Sequence, residues 1–176
     1  IWTLGPRAGV QRSRLGVGSG RIVPALVLNA NDVAGPPATV AVVAGDAQTG
    51  RVAALLPKAI ALRVLDGAGN GVPGVALALS ASGGALSDSM VTSDSAGFAR
   101  ARWTLPRVPG VLRLSVRAAG VRKELTLTAR ATVAPPANVV FTEPTGTPVV
   151  GHALGTHVAA RVTDVYGNPI AGVVVT

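Results

Sequence analysis

The chain has 176 residues and no cysteine, which excludes disulfides, thiolate metal sites and a cysteine nucleophile. Apolar residues make up 48% of it but aromatic ones only 3%, so any core must be built from Val, Leu, Ile and Ala, and stacking on nucleic-acid bases has almost nothing to work with. The net charge of +8 is mostly Arg, spread as Arg7, Arg51, Arg63, Arg100, Arg130 and Arg161 without a basic run, which weighs against nucleic acid as a partner.

In chain order, "IWTLGPRAGV" opens without an initiator Met, a basic stretch or an apolar stretch, so the chain is expected to be an internal piece of a longer protein. "GVGSG" at 16–20 is glycine-rich but lacks the Lys-Ser/Thr of a phosphate loop, and no helical pattern follows it; it reads as a hairpin turn. Frequent Gly (22) and Pro (13) then argue for many strands joined by turns. Strands are predicted over 39–43, 51–55, 59–66, 75–82, 90–93, 98–105, 111–118 and 121–132. No stretch of about eighteen apolar residues occurs, so no helix is expected to span a bilayer.

Two of these strands flank "LRVLDGAGNGVPGVAL", where Asp66 and Asn70 are placed to bond nearby backbone N–H groups and Gly69 and Gly74 to turn the chain. The same pattern returns in "ARVTDVYGNPIAGVVV" with Asp164, Gly167, Asn168 and Gly172, Asp164 lying 98 residues after Asp66. A duplicated ligand site and a duplicated turn are both readings of it. A calcium loop takes roughly six to eight oxygen ligands, and one Asp and one Asn per turn fall short of that, which favours the turn. Asp94 and Gly97 in "TSDSAGFA" mark another reversal.

In "FARARWTL" the residues Ala99, Ala101, Trp103 and Leu105 alternate with Arg100, Arg102 and Thr104. In "VLRLSVRA" the residues Leu112, Leu114 and Val116 alternate with Arg113, Ser115 and Arg117. Each strand thus has a dry and a wet side, which predicts antiparallel sheets packed face to face with Trp103 in the core. Arg100, Arg102, Arg113 and Arg117 form a candidate anionic-ligand face, set against the plainer reading that they solubilise the sheet. His152 and His157 are the only histidines; five apart on an extended strand they point to opposite faces, so no metal pair is assigned. No G-x-S-x-G elbow occurs and residues 35–134 contain no His to serve as a base, so no catalytic residue and no cofactor are assigned.

Further pieces recur at nearly the same period. "WTLGPRAGV" from Trp2 matches "WTLPRVPGV" from Trp103, and "PPATVAVV" from Pro36 matches "PPANVVF" from Pro135. A period near one hundred is one small sandwich per repeat. The chain is expected to divide into the end of one repeat (1–34), a complete repeat (35–134) and the beginning of a third (135–176), with the strands on either side of the complete repeat not pairing with each other.

The stretches "VVAGDAQTG", "LPKAIALRVLDGAGNGVPGVAL", "TSDSAGFARARWTL" and "PGVLRLSVRA", in this order across 38–118, resemble the bacterial immunoglobulin-like domain, group one, found in tandem in invasin and intimin adhesins. The stretch "VVFTEPTGTPVVGHALGTHV" lacks the Gly-Asp-x-Gln-Thr-Gly element and is similar to a related immunoglobulin-like repeat of bacterial surface proteins. The resemblance implies an all-β sandwich in a tandem array and a non-enzymatic spacer, on the bacterial surface or secreted, that projects a binding tip towards a host or matrix receptor. Its partners would be the neighbouring repeats of the same polypeptide. Two other readings stay open: a module whose basic sheet face binds anionic glycan or lipopolysaccharide, and an accessory repeat of a secreted enzyme.

Overall fold

The computed structural model describes residues 5–15, 26–142, 150–151 and 159–174. Every regular element among them is a strand. The centre of the chain is an immunoglobulin-like β-sandwich. One sheet has five strands in the order β4 (Gln48–Arg51), β12 (Leu125–Thr132), β11 (Gly110–Ala118), β6 (Ala76–Ala81), β8 (Met90–Thr92). The facing sheet has three: β3 (Pro37–Ala44), β5 (Ile60–Asp66), β9 (Phe98–Ala101). A two-stranded piece, β7 (Ala85–Leu86) with β10 (Trp103–Thr104), closes one side.

The period-two pattern explains the packing. Along β5, Ile60, Leu62 and Val64 are buried while Ala61, Arg63 and Leu65 are half-buried; along β11, Leu112, Leu114, Val116 and Ala118 are buried between exposed or half-buried neighbours. With β6, β9 and β12 they enclose a core of aliphatic side chains and one large ring. That ring is Trp103, 1% exposed, whose Nε1 donates to the Gly83 carbonyl at 3.0 Å. Alanines at 99, 101, 118, 129 and 131 keep the two sheets close elsewhere.

The sandwich departs from the expected strands in several ways, among them a last strand that starts at Leu125 rather than at 121 and the short, unexpected β7. The strand predicted over 51–55 lies earlier, at Gln48–Arg51, because Gly50 faces inward: a Cβ there would lie 2.9 Å from the Leu105 side chain and 3.4 Å from that of Leu56. Beyond it Ala53 takes a positive φ of 58° and the chain turns. This strand also pairs parallel to β12, the exception to an otherwise antiparallel set. The continuous strand predicted over 98–105 is broken at Arg102, because β9 pairs with β5 whereas β10 crosses to β7.

The edge strand β3 is interrupted by register shifts at Pro37/Thr39 and at Val42/Ala44, which blunt it against pairing with another chain. Outside the sandwich, β1 (Gly9–Leu15) and β2 (Leu26–Asp32) form one antiparallel hairpin and β13 (Pro136–Thr142) and β14 (Ala159–Asp164) another. Neither hairpin shares a sheet with the other or with the sandwich. The β13–β14 register copies that of β3–β5: Pro136 faces Asp164 as Pro37 faces Asp66, each followed by the same one-residue shift. Val173 and Val174, after the second Asp turn, are irregular. The "GVGSG" turn and both histidines lie outside the described residues.

Candidate functional site

Three turns of the chain share one sequence form, Asp-x-x-Gly-x, and one hydrogen-bond pattern. In the first, Asp66 Oδ1 accepts from the N–H of Ala68 (2.9 Å) and Asn70 (2.8 Å), Gly69 N–H donates to the Asp66 carbonyl (3.2 Å), and Asp66 N–H donates to the Asn70 carbonyl (2.9 Å). Asp94 does the same with Ala96, Phe98 and Gly97, and Asp164 with Tyr166, Asn168 and Gly167. The glycine has φ of 82–86° in all three, a conformation that costs other residues steric strain. A local Asx turn therefore accounts for Asp, Gly and the spacing between them.

What the local turn leaves unexplained is the fifth residue, Phe98 in one turn and Asn in the other two. The two Asn side chains reach out of their own turns. Asn70 Nδ2 donates to the Pro6 carbonyl (2.9 Å) and to Asp66 Oδ2 (2.9 Å), while its Oδ1 accepts from Ala8 N–H (3.0 Å). Asn168 Nδ2 donates to the Arg107 carbonyl (2.8 Å) and to both Asp164 oxygens (2.9 and 3.1 Å). In the alignment of "WTLGPRAGV" with "WTLPRVPGV", Pro6 and Arg107 occupy the same place. The same amide thus grips the same carbonyl twice, once between the N-terminal hairpin and the sandwich and once between the sandwich and the C-terminal hairpin.

The second carboxylate oxygen, Oδ2, also holds the connecting segment. Asp66 Oδ2 accepts from Gly35 N–H (2.8 Å) and Asp164 Oδ2 from Ala134 N–H (3.0 Å), each just before a Pro-Pro pair. Asp, Asn and linker amide together make a clamp. The two clamps differ in one respect that the residues explain: Ala8 offers its N–H to Asn70, whereas Pro109 at the matching place has none to offer Asn168. The second clamp has instead the Arg107 guanidinium 5.6 Å from the Tyr166 ring centroid, where the first has Pro6 and Ala68.

The clamps are electrostatically settled. The Asn70 side chain, with the backbone N–H groups of Gly35, Asn70 and Ala68, lowers the Asp66 pKa to about 2 in spite of partial desolvation. At Asp164, which is fully buried, desolvation is the largest single influence and acts upward. The bonds from Asn168, Ala134 and Tyr166 together outweigh it, so its pKa is lowered as well. A carboxylate has about four lone-pair positions. At Asp66 the N–H donors of Ala68, Asn70, Gly35 and the Asn70 amide take all four, leaving no vacant oxygen for a cation.

The four arginines singled out by alternation do not share a face. Arg113 and Arg117 lie on the outer face of the five-stranded sheet, Arg100 on the three-stranded sheet opposite, and Arg102 at the break between β9 and β10. Alternation tells which side of a strand is wet but not which sheet the strand joins. Arg117 is paired with Glu124 at 2.9 Å. The outer face of the larger sheet carries instead a diagonal of Arg113, Arg130 and Arg51 on β11, β12 and β4, all exposed, with Thr128 and Thr132 beside them in register. The acidic side chain that reaches this region, Asp46, accepts from Thr128 N–H at 2.8 Å.

No family model and no curated protein matches the chain. Solved structures do. The chain is similar in fold to FdeC, an Escherichia coli adhesin, with a TM-score of 0.57 and 23% identity, over 94% of this chain and 53% of that one. It therefore spans about half the length of the FdeC structure. The D0-D1 domain of intimin matches with a TM-score of 0.45 and 18% identity over 64% of this chain and 58% of that one. A β-glycosidase from Bacteroides vulgatus matches at 0.45 and 15% over 70% and 17%.

Proposed function

We propose that the chain is a non-enzymatic spacer: a segment of a tandem array of immunoglobulin-like sandwiches in a bacterial surface adhesin, divided as 1–34, 35–134 and 135–176. The observation that carries this reading is the repeated clamp. A residue whose side chain bonds across to the backbone of another unit, twice and at the same place, fixes the angle between successive units. Pro-Pro segments gripped by a carboxylate stiffen the same junction. The fold likeness to FdeC over 94% of the chain is in keeping with it. On this reading the chain lies outside the cell, its partners are neighbouring repeats, and a receptor would be met by a tip beyond this segment.

The test is mechanical. Small-angle scattering of the 176-residue chain should give an elongated particle, and the double variant Asn70→Ala/Asn168→Ala should broaden its ensemble while the sandwich stays folded. A particle that is compact, or unchanged in the double variant, would remove the spacer reading.

The diagonal of Arg51, Arg113 and Arg130 favours a second reading, a binding module for a linear polyanionic glycan. Diagonal neighbours across strands sit about 7–8 Å apart, within reach of successive anionic groups. Heparin affinity at physiological ionic strength that falls sharply in Arg113→Ala or Arg130→Ala, but not in Arg100→Ala, would support it. Equal small losses for all three would leave only diffuse charge.

A further inference from the structure

Asn70 and Asn168 hold equivalent places in the two clamps, but Gly71 follows the first and Pro169 the second. Gly71 is required by packing: a Cβ there would overlap the Ala96 carbonyl oxygen, where the Asp94 turn nests against it. Asn70 is required by the clamp. The two demands together produce the one Asn-Gly dipeptide of the chain. Such a dipeptide is chemically exposed, since glycine places no side chain between its own backbone nitrogen and the preceding amide carbon. The Gly71 N–H donates to no acceptor among the described residues; its bridge to Leu65 is held by the bonds of its neighbours, Val72 N–H to Val64 O (3.0 Å) and Asp66 N–H to Asn70 O (2.9 Å).

We propose that Asn70 is a site of spontaneous deamidation, that the opening of the first clamp sets its rate, and that the reaction unlocks this clamp irreversibly. The Gly71 nitrogen, losing its proton, attacks Cγ of Asn70. The Cγ–Nδ2 bond breaks, ammonia leaves and a five-membered imide closes. Water adds to one imide carbonyl and opens the ring to aspartate or isoaspartate. One water enters and one ammonia departs, with no oxidant or cofactor.

With the clamp closed, Oδ1 is held by Ala8 and Nδ2 by Pro6 and Asp66, so the side-chain carbonyl cannot turn onto the Gly71 nitrogen. Reaction runs from the open clamp, in proportion to its population. The product places a carboxylate oxygen where an N–H had faced the Pro6 carbonyl and the Asp66 carboxylate, and two attractions become repulsions. Asn168 is spared because the Pro169 nitrogen carries no hydrogen and cannot form the imide. The chain thus has one clamp with a chemical lifetime and one without. The site itself stands on the clamp geometry; only its mechanical consequence rests on the spacer reading.

The experiment follows the Asn70 and Asn168 peptides by mass spectrometry during incubation of the full 176-residue chain near neutral pH, beside the chain in denaturant and beside native Ala8→Pro. The amide-to-acid mass gain should appear at Asn70 and not at Asn168, fastest in denaturant. Ala8→Pro, which gives the first clamp the proline of the second, should speed the native reaction about fivefold, the factor one net hydrogen bond is worth. A native chain that never converts at Asn70, one that converts as fast as the denatured chain, or an Ala8→Pro rate equal to the parent's would each overturn the proposal. In Asn70→Asp the Ala8 amide should lose its protection from hydrogen exchange; retained protection would refute the unlocking. Conversion without any change in particle shape would remove the spacer reading and leave the modification site standing.

Discussion

Asp66 and Asp164 are ordinary residues put to two uses at once. Oδ1 closes the local turn and Oδ2 holds the linker, so each carboxylate couples a hairpin to the segment that leads into it. Because the Asp66 pKa falls from 3.8 to about 2 on folding, the carboxylate stabilises the folded state above pH 4 and that contribution is lost as the pH drops towards 2. The protection of the Gly35 N–H, its exchange rate relative to that of an unstructured amide at the same pH, should therefore fall across this window, and Asp66→Asn should flatten the response. Calcium should leave the Tm unchanged, because the donors already occupy the oxygens; a calcium-dependent rise abolished by Asp66→Ala would contradict this. At Gly97, φ is 82° and a Cβ would lie 2.6 Å from the Val64 carbonyl oxygen, so Gly97→Ala should cost roughly 1–3 kcal/mol in chemical denaturation.

Among the elements, the strands that alternate cleanly were legible and those whose fate depends on a partner were not. β5 and β11 read directly from period two, and the Asp turns from their own spacing. β7 is two residues long and carries no pattern of its own; it exists because β10 leaves the three-stranded sheet to meet it. The crossing takes only Arg102 out of line with Arg100; the wider arginine face failed because β9 and β11 belong to different sheets. Asn70 and Asn168 were read as turn residues, and their reach into another unit depends on how units stack, which no local pattern encodes. A signal was present: the third turn of the set has Phe98 where the other two have Asn, so the local turn alone does not ask for Asn. At this scale the one large ring dominates. Trp103→Ala should cost about 3–5 kcal/mol by equilibrium unfolding, and Trp103→Phe distinctly less, since it keeps most of the volume and loses part of the ring together with the bond to Gly83.

For the molecule as a whole, the spacer proposal requires the hairpins and the sandwich to be held at fixed angles by the paired amide clamps. The absence of cysteine makes it open to direct measurement, because spin labels can be placed at two chosen positions without competing thiols. Val10 on β1, Met90 on β8 and Val140 on β13 are exposed, and pairing Met90 with each of the others spans one clamp at a time. Pulsed electron resonance on Val10→Cys/Met90→Cys and on Met90→Cys/Val140→Cys should give one narrow distance distribution for each pair. Asn70→Ala should broaden the first alone and Asn168→Ala the second alone. Broad distributions in the parent sequence, or narrow ones untouched by the Asn substitutions, would show that the clamps do not lock these junctions.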